Sequence, residues 1–183
     1  VIAAVVLAAG ASTRLGIAKQ LVVFGGETLL DRAVRVAVEA GCSPVVVVLG
    51  ASAALIRERC SLHGAQVVVN EAWADGMASS IRCGFGALGD VDGCVVMTCD
   101  MPTVTSMHLR LLMVAGELTA SSYAERRGVP AYFPVAVFAE LMELHGDAGG
   151  RELLKSARIV ELPGGEFDVD TVEELEQARK LFG

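Results

Sequence analysis

Four nearly unbroken apolar runs constrain this chain more than any other feature: AAVVLAA at 3–9, PVVVVLG at 44–50, QVVVN at 66–70 and GCVVMTCD at 93–100. A strand with no polar alternation must be covered on both faces, as in a parallel sheet flanked by helices. Helix-periodic segments separate the runs. ETLLDRAVRVAVEAG at 27–41 places Leu30, Ala33, Val34 and Ala37 on one face, with Gly41 as its stop. AALIRERC at 53–60 and a segment from about Met77 read as two more helices. Strand–helix–strand units of this length predict a doubly wound α/β sheet.

After Asp100 the pattern loosens. A helix at TSMHLRLLMVAG precedes two short extended pieces, TASSYA and GVPAYFP. VAVFAELMEL is helical, with Phe138, Leu141, Met142 and Leu144 as its buried stripe, and ELLKSA continues in helix. RIVELP reads as a strand, and DTVEELEQARKLF as a closing helix capped by Asp170 or Thr171. No repeat or linker divides the chain, so residues 1–183 read as one domain with a more irregular C-terminal half.

The charge balance, 15 − 22 = −7, argues against a general nucleic-acid binder, which carries a basic face. It leaves room for a small anion, which needs only two or three local cations. Five cysteines with no CxxC pair give neither a disulfide framework nor a zinc site, and fit reduced thiols in a cytoplasmic protein. The opening run has no basic flank and breaks at Gly10, too short to span a bilayer, so it reads as the first strand and not a membrane segment.

That first strand runs into a loop carrying Gly10, Ser12, Thr13, Arg14, Gly16 and Lys19. A strand, a glycine turn and a helix make a ready phosphate cradle, because free N–H groups and the helix dipole face the ligand. The Walker A spacing fails, since five residues separate Gly10 from Gly16 and Lys19 comes two positions late. The dinucleotide pattern GxGxxG occurs at GFGALG, 84–89, but after a helix and before a strand, the reverse of the required order. Gly84, Gly86 and Gly89 are expected to end a helix instead. Arg14 offers a forked donor for phosphate oxygens and Lys19 a point charge. Two solvated cations on a turn are the plain alternative. The loop's place at the carboxyl edge of the sheet, where open α/β folds bind ligands, favours an anion site.

In MTCDMP, Asp100 ends an apolar strand at that same edge. It is either a ligand for a hard cation such as Mg²⁺ or an Asx-turn residue before the next helix. In FDVDT, Asp168 and Asp170 alternate and point the same way, as a second metal ligand or as a cap. NEAWADGMASSIR leaves Gly76, Ser79 and Ser80 at a helix start, where Trp73 either stacks on a ring or anchors the loop. His63, His108 and His145 have no partner spacing and receive no catalytic role. No GxSxG elbow is present.

These residues resemble a known family. LAAGASTRLGIAKQL is similar to the signature loop of the MobA-like nucleotidyltransferases, and the likeness continues through GGETLLDRAV, VVVNEAWADGMASSIRCG, CDMPTVTSMHL, GVPAYFP, FAELMELHGDAGGRELL and FDVDTVEELE. The molybdenum cofactor cytidylyltransferases are the nearest branch by these motifs. The resemblance implies a Rossmann-like three-layer α/β/α sandwich of the nucleotide-diphospho-sugar transferase type. It implies transfer of CMP from CTP to molybdopterin with release of pyrophosphate, and a recipient molybdoenzyme as a transient partner. Carried over by position, Gly10, Ser12, Arg14 and Lys19 hold the triphosphate, and Leu7, Ala8 and Ala9 border the base. Asn70, Gly76 and Ser80 line the nucleoside part. Asp100 and Asp170 hold Mg²⁺, with Asp168 a weaker candidate, and Arg14, Lys19 and Asp100 carry catalysis.

LAAG in place of the guanylyl branch's LAGG, together with DMP, favours CTP over GTP. Two departures stand out. GDAGGR lacks the lysine of the family's GDKGAR at Ala148, leaving Arg151, Arg126 or Arg127 for the acceptor phosphate, and Val172 replaces a proline after DVDT. The implied chemistry is in-line displacement at the α-phosphorus, driven by alignment and charge neutralisation, with no need for a strong general base. Its rivals are another phosphate acceptor or NTP, a nucleotide-sensing chaperone without catalysis, and an oxidoreductase resting only on GFGALG.

Overall fold

The computed structural model describes residues 1–183 apart from Thr13, Ala148, Gly149, Gly183 and the side chain of Phe182. Thr13 of the signature loop and the substituted Ala148 therefore lie outside the described residues. The nine strands are β1 (Ile2–Ala8), β2 (Val23–Phe24), β3 (Glu27–Thr28), β4 (Val45–Leu49), β5 (Gln66–Val69), β6 (Gly93–Thr98), β7 (Thr119–Tyr123), β8 (Arg126–Pro134) and β9 (Arg158–Glu161). The α-helices are α1 (Leu29–Glu39), α2 (Ala53–Arg59), α3 (Met77–Gly86), α4 (Ser106–Met113), α5 (Phe138–Met142), α6 (Arg151–Leu154) and α7 (Val172–Phe182).

Seven strands form one sheet in the order β5-β4-β1-β6-β8-β7-β9, and β2 and β3 form a small separate hairpin. The apolar runs make its parallel half: β1 pairs with β4 and β6, and β4 with β5. β8 alone runs backwards, antiparallel to both β6 and β7, while β9 returns parallel to β7. The two extended pieces expected after Asp100 are thus a hairpin built into the sheet. Its turn residues Ala124 and Glu125 both have positive φ (47° and 59°), the backbone a tight hairpin requires. No Asn-Gly or Asp-Gly pair announces it, which is why the sequence reads there as irregular.

Side chains of β1 alternate between two cores. Ala4, Val6 and Ala8 pack with α1, α2 and α4 residues such as Leu30, Ile56 and Leu109. Ala3, Val5 and Leu7 pack with Ile81 and Phe85 of α3, Leu141 of α5 and Leu154 of α6. The result is an α/β/α sandwich with a mostly parallel sheet. A third cluster joins Val22, Phe24 and Leu29 to Val169 and to Leu175 of α7, holding the C-terminal segment against the start of the chain.

The α1 face falls as periodicity predicts, with Leu30, Ala33, Val34 and Ala37 all buried. The stripe on α5 is narrower than expected: Leu141 is buried, Phe138 and Leu144 pack against the core, and Met142 is exposed. Gly84 and Gly86 do lie at the end of α3. Gly84 also has a packing task, since a Cβ there would sit 2.6 Å from Val5 Cγ1. Thr171, not Asp170, caps α7, accepting from Glu174 N–H at 3.2 Å. All five cysteines are free. Among the described residues, no helix is long and apolar enough to cross a membrane.

Candidate active site

The carboxyl ends of β1 and β6 lie side by side, because Leu7 pairs with Thr98. The chain leaving β1 forms the glycine loop, and the chain leaving β6 reaches Asp100 two residues later. The Asp168–Asp170 segment is stitched to this edge by Val169 N–H donating to the Asp100 carbonyl at 2.8 Å. Val169 is fully buried while its two aspartate neighbours are not, so both acids flank Asp100 on the open side. β8 starts where the parallel strands end, so its reversal brings Arg126 and Arg127 to the same edge.

Lys19 is the centre of this edge. Its ammonium donates to Asp100 Oδ2 at 2.9 Å and lies 3.6 Å from Asp170 Oδ1. Burial alone would lower its pKa, but the Asp100 carboxylate outweighs burial through charge and hydrogen bond, and holds the ammonium above its ordinary value. Thr98 Oγ1 donates to the other Asp100 oxygen at 2.6 Å, fixing the carboxylate plane. Arg14 bonds Asp170. Asp168 is pushed up to about 6, first by burial and then by the neighbouring Asp100, with Arg126 and Lys19 pulling the other way.

Two cavities meet here. One, of about 350 Å³, is lined by Leu7, Ala9, Gly10, Lys19, Gly76 and Ser80 among others, with Trp73 and Asp147 also in its wall. The second, of about 730 Å³, presents Arg126, Arg127, Arg151 and Lys155, with Tyr123 and Asp168. Met77, Thr98 and Asp100 line both. Asp100 therefore stands on the boundary common to both cavities. The Arg126 guanidinium lies 5.5 Å from the centre of the Tyr123 ring, so this wall combines charge with a flat aromatic surface.

Several residues expected to meet a ligand directly work behind the wall instead. Asn70 is buried and donates to Ser79 Oγ (2.8 Å) and Ser80 Oγ (2.9 Å), while its Oδ1 accepts from Ala72 N–H at 3.0 Å. It shapes the wall of the smaller cavity through Ser80. Ser12, with φ 54°, turns its Oγ to accept from Lys19 N–H at 3.1 Å, so it holds the loop closed. Ala8 offers its carbonyl to the Gln20 side chain. The groups expected to be available at the start of α3 are occupied: Met77 N–H and Ala78 N–H donate to Asp147 Oδ1 and the Gly146 carbonyl at 3.3 and 2.9 Å. Ser79 Oγ, on the first turn of α3, lies 2.8 Å from the Gly76 carbonyl and 3.0 Å from the Ala72 carbonyl, which share its single proton.

Four contributors escaped the sequence reading. Gln20 is almost fully buried and its Nε2 bridges the Ala8 and Gly10 carbonyls (2.8 and 3.3 Å), fixing the loop to β1. Thr98 orients Asp100, Tyr123 builds the larger cavity, and Asp147 caps α3 from 70 residues away. Only Gln20 left a trace in the sequence, as a polar residue inside an otherwise apolar-ended loop.

Residues 4–162 match the model of the MobA-like NTP transferase domain. The chain belongs to that family. It is a nucleotidyltransferase-type enzyme, and its sheet carries the fold shared by that class. Among curated relatives it is 34% identical to nicotine blue oxidoreductase of Paenarthrobacter nicotinovorans, covering 93% of both chains. It is 29% identical to purine catabolism protein PucB of Bacillus subtilis, covering 97% of this chain and 96% of that one. Rv0371c from Mycobacterium tuberculosis H37Rv superposes with a TM-score of 0.88 at 34% identity, over 98% and 97% of the two chains. A manganese complex of Rv0371c superposes at 0.83 with 32% identity, over 98% of each chain.

Proposed function

We propose that this enzyme transfers CMP from CTP to the terminal phosphate of molybdopterin and releases pyrophosphate. The observation that carries this reading is the Lys19–Asp100–Asp170 cluster, in which Asp100 lines both cavities and Lys19 the smaller one. The smaller cavity suits the nucleotide and the larger, cationic one suits a phosphate-bearing acceptor with a flat ring. Single-domain organisation over 1–183 and a cytoplasmic setting belong to the same proposal.

Arg14, Lys19 and the loop at Gly10 and Ser12 grip the triphosphate. Leu7 and Ala9 border the base, with Ala8 behind them tied to Gln20, and Asn70, through Ser80, shapes the nucleoside wall with Gly76. Ala9 lines this cavity of about 350 Å³, and its alanine in place of the guanylyl branch's glycine is what favours CTP over GTP in this reading. Asp100 and Asp170 fit a hard divalent cation: both carboxylates already converge on one positive charge, the Lys19 ammonium, and both offer only oxygen. Among the described residues no group of three His, Cys, Asp or Glu is gathered as a closed cage. An open pair sharing its ion with phosphates is the arrangement Mg²⁺ takes in nucleotide sites. The manganese complex of Rv0371c supports a divalent cation here. When bound, such an ion supplies charge neutralisation to the phosphates.

Arg126, Arg127 and Arg151 hold the acceptor phosphate, so the loss of the family's lysine at Ala148 leaves this wall basic. An acceptor oxygen forms the new bond to the α-phosphorus as the α–β phosphoanhydride bond breaks, and pyrophosphate departs along Lys19 and Arg14. The acceptor is already anionic, so no residue needs to remove a proton.

A competing reading comes from the relative named an oxidoreductase. The dinucleotide-like GFGALG does not support it, because Gly84 is packed against Val5 and Val48 at the end of α3. One panel separates the readings: each of the four NTPs with Mg²⁺ or Mn²⁺, with and without molybdopterin or sugar phosphates, scored for pyrophosphate. Release from CTP only with molybdopterin is expected. Release with another pair reassigns the substrate, and nucleotide binding with no release favours a sensor. NADH or NADPH oxidation without release favours the oxidoreductase.

A further inference from the structure

Three charged side chains line the smaller cavity: Lys19, Asp100 and Asp147. The first two satisfy each other. Asp147 forms no ion pair among the described residues, and it arrives from a distant loop to stand in a pocket read here as a nucleotide site. Asp147 is exposed, and its segment is tied to the start of α3. Its Oδ1 accepts from Met77 N–H at 3.3 Å, while the preceding Gly146 carbonyl accepts from Ala78 N–H at 2.9 Å. The approach is so close that a Cβ on Gly76 would lie 2.6 Å from both Asp147 Oδ1 and the Gly146 oxygen.

Resting on the nucleotidyl-transfer reading, the geometry points to Asp147 as a specificity-determining residue that accepts a hydrogen bond from the sugar hydroxyls, selecting ribonucleotides over deoxyribonucleotides. Asp147 is anchored on Met77, one of the residues shared by both cavities. It therefore sits beside the strip common to both cavities, where nucleotidyl transfer would place the α-phosphorus. The part of a nucleotide joined directly to its α-phosphate is the sugar, whose only donors are its hydroxyls. A carboxylate can accept from them and cannot donate. It also repels the triphosphate, which keeps that end of the nucleotide on Lys19 and Arg14.

Calorimetric titration of the full chain with Mg²⁺ and CTP, 2′-deoxy-CTP or 3′-deoxy-CTP tests this, with the GTP series run in parallel. Trp73, the chain's single tryptophan, lines the same cavity and gives a second, fluorescence readout. The wild type is expected to bind the ribonucleotide at least about tenfold more tightly than a deoxy form, the scale of one hydrogen bond to a charged group. Asp147→Ala should bind both within about twofold. Asp147→Asn keeps an acceptor for Met77 N–H and should retain a reduced preference. A wild type with no preference, or Asp147→Ala with the full preference, overturns the assignment and leaves nucleotide transfer standing. No binding of any nucleotide by the wild type overturns both.

Discussion

Replacing Gly76 by alanine should loosen the molecule at one defined place. Gly76 has φ 106° and ψ 179°, a region that side chains other than glycine enter only at a cost of about 1–3 kcal/mol. The new methyl would also meet the Gly146 oxygen at 2.6 Å and the Gly146 carbonyl carbon at 2.7 Å, atoms that cannot rotate away. The 146–147 segment must retreat, and the hydrogen bonds from Met77 N–H and Ala78 N–H are lost, at about 0.5–1.5 kcal/mol each. The sum is about 2–6 kcal/mol, a large part of the roughly 5–15 kcal/mol available to a domain. Urea unfolding followed by circular dichroism reads this as a lower midpoint at unchanged slope. Gly86→Ala is the control. It lies at the exposed end of the same helix, with ordinary φ and nothing within 4 Å of an added Cβ, so it should be neutral or slightly stabilising. A Gly76→Ala midpoint equal to that of the wild type would refute the reasoning.

Two further outcomes follow from buried polar groups. His108 is buried with Nε2 2.8 Å from Ser121 Oγ, and burial pushes its pKa down from 6.5 to about 4. The unfolded chain therefore binds its proton first, and His108 contributes stability at neutral pH that is lost as pH falls from about 6.5 through about 4. The raised carboxyl of Asp168 works in the opposite sense over its own range, so the measurement is the difference between wild type and His108→Gln. That difference should shrink by about 2–3 kcal/mol between pH 7 and pH 4, and a flat difference would contradict it. Gln20→Leu strips the Ala8 and Gly10 carbonyls of a buried donor, so it should cost about 1–3 kcal/mol by urea unfolding and raise the KM for nucleotide more than it lowers kcat.

The parallel half of the sheet was legible because β1, β4 and β6 are apolar on both faces, a pattern that only a covered sheet accommodates. The glycine loop and Asp100 were legible for the same reason: each directly follows such a run. The hairpin of β7 and β8 was not, because its turn forces positive φ on Ala124 and Glu125, residues that carry no turn signature. Contacts across long sequence distances were equally hidden. Nothing in NEAWADG announces that the start of α3 will be capped by Gly146 and Asp147, or that Asn70 will spend its amide on Ser79 and Ser80. Local motifs pointed to the sheet edge where the two cavities lie, while the side chains that hold their walls became visible only once the chain was folded.

The central claim is that Asp100, at the junction of the two cavities, serves nucleotidyl transfer and not the fold. Its most direct test is pyrophosphate release by Asp100→Ala beside the wild type, with CTP, molybdopterin and Mg²⁺, at a temperature where both are folded by circular dichroism. Loss of about 10²-fold or more in kcat, the scale of removing a principal electrostatic group from a transition state, is predicted. Wild-type turnover in a folded Asp100→Ala protein would contradict the account.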